Sequence, residues 1–316
     1  MRVFITGATG FAGSHLVDQL LADGHEIVTL VHAETSQQEL PDVPQIREVV
    51  GNLLDVDGLK TAVSNAKPDV IYHLAGQASP QRSWVIPGMT LAVNSVGTAN
   101  LLDAAVAYGR PRVVIVSSAD IYGKIEAKDL PITEQTLPQP RHPYGLSKWT
   151  AAQLVPLYWD RFRLPVIEAR PFNHIGPRQA LGFVVPDFAS QLAAIKLGQA
   201  DNRIMVGNLE AQRDFTDVRD VSRAYQFLAE KGQPGEAYII CSGQPVQIQT
   251  ILDEMITLAD VPIEVERDSE RLRPSDTPCL YGSFAKIGRD TGWEPTITRE
   301  DSLRDALSDW MERLKN

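Results

Sequence analysis

Cysteine and long apolar runs are both scarce in this chain of 316 residues. Its two cysteines, Cys241 and Cys279, lack metal-ligand spacing, so we expect neither a disulfide framework nor a metal site. No stretch reaches the roughly 18 consecutive apolar residues that a membrane-spanning helix needs. The opening "MRVFIT" also lacks the layout of a signal peptide. We therefore expect a cytoplasmic protein without a membrane partner.

Positive charge is in deficit as well. The chain has 40 acidic residues against 30 lysines and arginines, a formal net charge of −10. Such a charge repels polyanions, so we expect no nucleic-acid partner. Any phosphate group that binds must be held locally, by a few arginines or by backbone amides.

The first half of the chain alternates between two hydrophobic patterns. Short β-rich runs ("RVFIT", "EIVTLV", "VIYHLA", "VVIVSS", "PVIEAR") alternate with amphipathic helical segments such as "GSHLVDQLLADG". This alternation predicts an α/β fold, a Rossmann-type doubly wound parallel sheet. We assign residues 1–170 to a dinucleotide-binding domain, to which segments near 215–241 return. The less regular residues 171–316 then form a smaller α/β substrate-binding domain.

A glycine-rich loop stands between the first strand and the first helix. "VFITGATGFAGSHLVDQLL" contains Gly7, Gly10 and Gly13, spaced G-x-x-G-x-x-G rather than G-x-G-x-x-G. Glycines allow a tight turn and close approach of the backbone to a diphosphate, which the helix N-terminus attracts. The flanking strand and helix favour dinucleotide binding over a simple turn.

The end of the second strand bears on the choice of dinucleotide. An acidic residue there would bind the adenosine ribose of NAD, but the sequence reads Val31-His32. The missing acid leaves room for a 2′-phosphate and favours NADPH, with NADH possible. His32 could face that phosphate or be a solvated turn residue, and Asn52 could bond the adenine edge. The other predicted cofactor contacts are Phe11, Ala12, Leu53, Leu74, Ala75, Gly76 and Pro171.

"HPYGLSK" places Tyr144 and Lys148 one turn apart on the same helix face. An ammonium group near a phenol favours the phenolate, so the tyrosine can exchange a proton with a substrate oxygen. Ser118, at the end of its strand, can donate a second hydrogen bond to that oxygen.

With these motifs the sequence resembles the extended short-chain dehydrogenase/reductase family. "TGATGFAG", "HLAG", "SSADIYG", "YGLSK" and "RPFNHIGPR" match over nearly the whole chain. The resemblance implies a catalytic triad of Ser118, Tyr144 and Lys148, with Lys148 also holding the nicotinamide ribose. It further implies a nucleotide-sugar substrate and a homodimer through helices near 95–108 and 146–161.

The second half is similar to the GDP-mannose branch of that family, through "NHIGP", "QRDFTDVRDV" and "LRPSDTP". This similarity implies reduction of the C4 keto group of GDP-4-keto-6-deoxy-D-mannose to GDP-D-rhamnose. Arginines suit the diphosphate because a guanidinium can engage its oxygens bidentately. The predicted substrate contacts are Ser118, Asp120, Asn173, Val184, Arg213, Arg273 and Asp276.

Three alternatives stay open at this point. The chain could be a GDP-mannose 4,6-dehydratase that retains NADP, a 4-epimerase, or a catalytically silent dinucleotide sensor. In a dehydratase, Asp120 would remove a proton from the sugar. In a reductase, Asp120 would hydrogen-bond the sugar or only form a turn.

Overall fold

Seven parallel strands form the large sheet around which the protein is built. The computed structural model describes residues 1–32, 38–268 and 277–315. Numbered in chain order, the strands of this sheet are β1 (Arg2–Thr6), β2 (Glu26–Val31), β3 (Ile46–Val50), β4 (Val70–His73), β5 (Arg112–Val116), β6 (Val166–Pro171) and β10 (Ala237–Ile240). They lie in the order β10-β6-β5-β4-β1-β2-β3. The order reverses between β1 and β4, and ligands of such sheets bind at that reversal, beyond the carboxyl ends of the strands.

Helices cover both faces of the large sheet, which explains why its strands are nearly continuous apolar runs. The helices are α1 (Phe11–Ala22), α2 (Val56–Ala66), α3 (Pro80–Val85), α4 (Pro87–Leu91), α5 (Gly97–Tyr108), α6 (Pro143–Phe162), α7 (Val184–Lys196), α8 (Val218–Lys231), α9 (Ile248–Ala259), α10 (Ala285–Thr291) and α11 (Arg299–Arg313). Helices α1 and α8 pack on one face, and α2, α5 and α6 pack on the other. A π-helical turn, Ala92–Val96, joins α4 to α5.

A second, smaller group of strands lies in the carboxyl-terminal half. β7 (Asn173–Ile175), β9 (Gln212–Asp217), β11 (Pro245–Gln247) and β13 (Cys279–Leu280) form one sheet, and β8 (Arg203–Val206) pairs with β12 (Glu264–Arg267). Helices α7, α9 and α11 build a separate apolar core around them. The segment before β7 leaves the large sheet at Pro171, so this second core adjoins the carboxyl ends of the parallel strands.

Every helix in the described ranges is too short or too polar to cross a lipid bilayer.

Candidate active site

The glycine loop is pressed against the segment that follows β4. Gly7 has a φ of +79°, and a Cβ atom on it would lie 2.6 Å from the Ala75 nitrogen. A Cβ atom on Gly13 would lie 2.0 Å from the Gly7 carbonyl oxygen. Helix α1 starts beyond Gly10, whose lack of a side chain leaves the first-turn amides without a side-chain cap. A loop with this close packing and uncapped amides fits a diphosphate.

Other residues of the loop anchor it to the rest of the fold. The ring of Phe11 stacks on His174, with centroids 5.5 Å apart. The carbonyl of Ala12 accepts a hydrogen bond from Ser222 of α8 at 3.2 Å. These contacts join the loop to β7 and to α8.

A buried chain of hydrogen bonds fixes the backbone at Leu74–Gly76. Thr98 donates to the Asn94 carbonyl at 2.6 Å, so its oxygen accepts from Nε2 of His73 at 2.9 Å. Nδ1 of His73 then accepts a hydrogen bond from the Thr6 hydroxyl at 2.7 Å. The oxygen of that hydroxyl accepts a hydrogen bond from the Ala75 amide at 3.3 Å. Burial lowers the pKa of His73 to about 3, so its ring is neutral and keeps this tautomer.

Ser118 and Tyr144 meet at the ends of β5 and α6. Pro143 occupies the first position of α6, where its missing amide costs nothing, and places Tyr144 in the first turn. The Tyr144 hydroxyl is hydrogen-bonded to the Ser118 side chain. The Ser118 hydroxyl oxygen also accepts a hydrogen bond from the Asp120 amide at 3.1 Å. Burial raises the pKa of Tyr144, and the charge of Asp120 raises it further. The direction is opposite to that expected from Lys148 alone, so the Tyr144 hydroxyl is a neutral phenol that keeps its proton.

Lys148 lies between the ends of β4 and β5. Its Nζ donates to the Val116 carbonyl at 2.7 Å and would be 3.6 Å from a Cβ atom on Gly76. Burial lowers the pKa of Lys148 to about 8, while the charge of Glu168 acts in the opposite direction. The ammonium form therefore still predominates at pH 7.

Glu168, whose charge acts on Lys148, forms a buried ion pair with Arg170. The sequence analysis did not identify this pair. Arg170 donates to both carboxylate oxygens of Glu168 at 2.8 Å, and to the Tyr122 hydroxyl at 2.9 Å. Its guanidinium lies 5.7 Å from the ring centroid of Tyr122 and 5.9 Å from that of Trp149. Glu168 and Arg170 stand two residues apart in an otherwise apolar strand, so their side chains point to the same face of the sheet. This spacing of opposite charges is the sequence signal that could have revealed the ion pair.

His142 is a second residue that the sequence analysis missed. It is the N-cap of α6, and its Nδ1 accepts the Gly145 amide at 3.0 Å. Its Nε2 lies 3.7 Å from Oδ2 of Asp120. A proline at the first helical position marks the preceding residue as the cap, but its distant partner is not visible in the sequence.

Three predicted cofactor contacts follow β2 and β3. His32 directly follows β2 and is partly buried. Asn52 uses its side-chain oxygen to accept the Leu54 amide at 2.9 Å, so that oxygen is already engaged within the turn. Leu53 is buried, and its carbonyl accepts a hydrogen bond from Asn100 at 2.9 Å.

Two predicted substrate contacts share one face of the smaller sheet. The register places Asn173 opposite Phe215, two residues beyond Arg213, so these side chains lie on the same face. Nη1 of Arg213 donates to the Thr277 carbonyl at 2.7 Å. Val184 begins α7 and packs on the core of this part. The predicted contacts Arg273 and Asp276 lie outside the described residues.

A seven-stranded parallel sheet, a glycine loop at its reversal point and a serine–tyrosine–lysine set define an extended short-chain dehydrogenase/reductase, as the sequence predicted. The chain belongs to the GDP-mannose 4,6 dehydratase family, whose model matches residues 4–306. The predicted fold class and the enzyme class, a nucleotide-sugar oxidoreductase, are thereby confirmed.

Relatives within the family differ in activity. The GDP-6-deoxy-D-mannose reductase of Pseudomonas aeruginosa is 39% identical, over 99% of this chain and 98% of its own. The human GDP-mannose 4,6 dehydratase is 27% identical, over 96% of this chain and 89% of its own. The solved structure of RMD from Pseudomonas aeruginosa complexed with NADPH has a TM-score of 0.87 and 37% identity, covering 99% of both chains.

Proposed function

We propose that this enzyme uses NADPH to reduce the C4 keto group of GDP-4-keto-6-deoxy-D-mannose, forming GDP-D-rhamnose. The observation that carries the proposal is the Tyr144 phenol, hydrogen-bonded to Ser118 with Lys148 one turn away on the same helix. A neutral phenol suits a reductase because reduction of a ketone requires a proton donor. The 39% identity with a GDP-6-deoxy-D-mannose reductase over nearly the whole chain supports the choice of substrate.

The residues at the sheet reversal fit a dinucleotide. Amides after Gly10 would hold its diphosphate, Leu74–Gly76 and Pro171 would line it, and Lys148 would bind the nicotinamide ribose. When bound, NADPH supplies a hydride for C4 of the sugar. The absence of an acid at Val31-His32 and the NADPH in the related RMD structure favour the phosphorylated cofactor.

The protein's own contribution to the reaction concerns one oxygen atom. Ser118 and Tyr144 hydrogen-bond the carbonyl oxygen at C4, and Tyr144 donates its proton to the alkoxide as it forms. The resulting phenolate is stabilised by the Lys148 ammonium, which the Val116 carbonyl holds in place.

We assign binding of the GDP-sugar to the part of the chain after residue 170. Arg213 carries the positive charge that a diphosphate needs in a protein of net charge −10, and Asn173 lies on the same face of the sheet. Arg273 and Asp276 remain predicted contacts. Residues 1–170, with β10 at the edge of their sheet, form the dinucleotide-binding domain.

One incubation tests this proposal. The purified protein is mixed with NADPH and either GDP-4-keto-6-deoxymannose or GDP-mannose, and nucleotide oxidation is followed at 340 nm. Stoichiometric oxidation with the keto sugar alone is the expected result. Tyr144→Phe should lower the rate at least about 100-fold, the usual size of acid catalysis, and near-normal reduction by this variant would refute the acid assignment.

A dehydratase is the second candidate, and Asp120 is the observation in its favour. This carboxylate is close enough to Tyr144 for its charge to raise the pKa of the phenol. Conversion of GDP-mannose without net use of cofactor in the same incubation would establish that activity instead.

We further propose a homodimer, formed by the outer faces of α5 and α6 with the neighbouring α3 and α4. Large apolar side chains are exposed there: Trp84, Val85, Met89, Val96, Leu146 and Leu157. Several large apolar side chains exposed on neighbouring helices are typical of an interaction surface. Leu157→Glu should produce a monomer in light scattering, whereas Leu137→Glu, at an exposed loop position outside these helices, should not. The two free cysteines and the need for NADPH are consistent with a cytoplasmic enzyme.

A further inference from the structure

His142 connects the start of α6 to the carboxylate of Asp120. Because Nδ1 accepts the Gly145 amide at 3.0 Å, the neutral ring carries its proton on Nε2. That N–H lies 3.7 Å from Oδ2 of Asp120. The shorter side chains usual at an N-cap would satisfy Gly145 but would not reach the carboxylate.

The backbone of Asp120 is held in place by short contacts. Its amide donates to Ser118 at 3.1 Å, and its carbonyl oxygen lies 2.6 Å from where a Cβ atom on Gly145 would be. The Asp120 backbone thus packs directly against the first turn of α6. Its carboxylate, 35% exposed, lies close enough to the Tyr144 hydroxyl for its charge to raise the pKa of that phenol.

A carboxylate at this place can start a reaction that competes with reduction. In a 4-keto sugar the hydrogens on C3 and C5 are acidic, because they adjoin the carbonyl group. If the carboxylate takes the C5 proton, the electron pair of that bond forms a C4–C5 double bond and the carbonyl oxygen becomes an enolate. Ser118 and Tyr144 stabilise this enolate as they would the alkoxide. A proton that returns from water to C5 completes the exchange.

We propose that His142 is a positioning residue that holds the Asp120 carboxylate away from the hydrogens beside the C4 carbonyl and so suppresses enolisation of the bound keto sugar. This inference rests on the proposed function. At 3.7 Å the contact is longer than a hydrogen bond, so the ring acts on the carboxylate through the dipole of its N–H and through the space that it occupies. The imidazole cannot turn towards the sugar without losing its bond to Gly145.

The test measures exchange of carbon-bound hydrogen rather than reduction. GDP-4-keto-6-deoxymannose is incubated in D2O with the protein and NADP⁺, so that no hydride donor is present. Uptake of deuterium at C3 and C5 is followed by mass spectrometry and proton NMR. The wild-type protein should stay close to the rate without protein. His142→Asn, which keeps an oxygen to cap Gly145, should exchange at least about tenfold faster.

The double variant His142→Asn with Asp120→Asn identifies the base. Its exchange should fall back to the wild-type rate or lower. Unchanged exchange in a folded His142→Asn protein, or fast exchange that persists in the double variant, would overturn the proposal. His142→Ser repeats the measurement if the asparagine variant does not fold. Failure of the wild-type protein to oxidise NADPH with the keto sugar would instead refute the proposed function, so the two failures are distinct.

Discussion

Replacing Lys148 with methionine should stabilise the fold while it destroys the enzyme. The pKa of Lys148 falls from 10.5 to about 8 on burial. One pKa unit corresponds to about 1.36 kcal/mol, so keeping this ammonium charged in the folded protein at pH 7 costs about 3 kcal/mol. Methionine removes that cost but leaves the Val116 carbonyl without its donor, a loss of about 1 kcal/mol. The net gain should be about 2 kcal/mol.

The sign follows from proton linkage. Between about pH 8 and 10.5 the unfolded chain binds the lysine proton and the folded protein does not, so the stability of the wild type rises with pH in this window. The advantage of Lys148→Met should therefore be complete below pH 8 and disappear by about pH 10.5. With an unfolding entropy of about 2.1 cal/mol/K per residue, the gain corresponds to a Tm increase of about 3 °C at pH 7.

Thermal unfolding by calorimetry at pH 7, 8, 9 and 10 measures this difference, with turnover of the keto sugar as the second readout. Lys60→Met, at an exposed position of α2, is the matched control and should change neither quantity appreciably. A Lys148→Met protein less stable than the wild type at pH 7, or a difference that stays constant with pH, would refute the reasoning.

Two further substitutions probe the cleft. Gly13→Ala places a Cβ atom 2.0 Å from a backbone oxygen, so it should lower the free energy of unfolding by about 3 kcal/mol and weaken dinucleotide binding. The control is Gly88→Ala, whose Cβ atom would have no atom within 4 Å and which should be nearly neutral. Denaturant titrations measure the stability, and NADPH fluorescence measures the binding. Glu168→Gln removes the charge that raises the pKa of Lys148, so the alkaline limit of kcat/KM should move to lower pH. The same change leaves Arg170 buried beside a neutral amide and should destabilise the fold by about 3–5 kcal/mol in urea unfolding; an unchanged pH profile would separate the ion pair from catalysis.

Local patterns predicted those parts of the site that are close together in the sequence. The glycine spacing indicated the tight loop at Gly7 because flanking strand and helix patterns are legible within a few residues. Tyr144 and Lys148 could be placed on one face because helix geometry fixes the direction of residues i and i+4. The parallel sheet followed from alternating hydrophobic periods in the same way.

Contacts between residues distant in the sequence were not predictable. His73 lies between Thr6 and Thr98, partners from two other elements, and no periodicity specifies that meeting. The upward shift of the Tyr144 pKa was also not predicted. The spacing between Tyr144 and Lys148 shows neither the burial of the phenol nor the nearby charge of Asp120. Burial and through-space charge depend on the packed structure rather than on local order.

Reduction and enolisation of a keto sugar would depend on the same pair of hydroxyl groups in this enzyme. In the proposed reaction, hydrogen bonds from Ser118 and Tyr144 to the C4 oxygen would lower the barrier to hydride addition. They would also lower the barrier to loss of a neighbouring proton, because both steps place negative charge on that oxygen. Which reaction follows must then depend on the groups that reach the carbon atoms. Asp120 is the carboxylate beside these hydroxyls, and its backbone is fixed by Gly145 while its oxygen faces His142. We therefore expect His142, rather than the triad itself, to determine whether this carboxylate acts as a base.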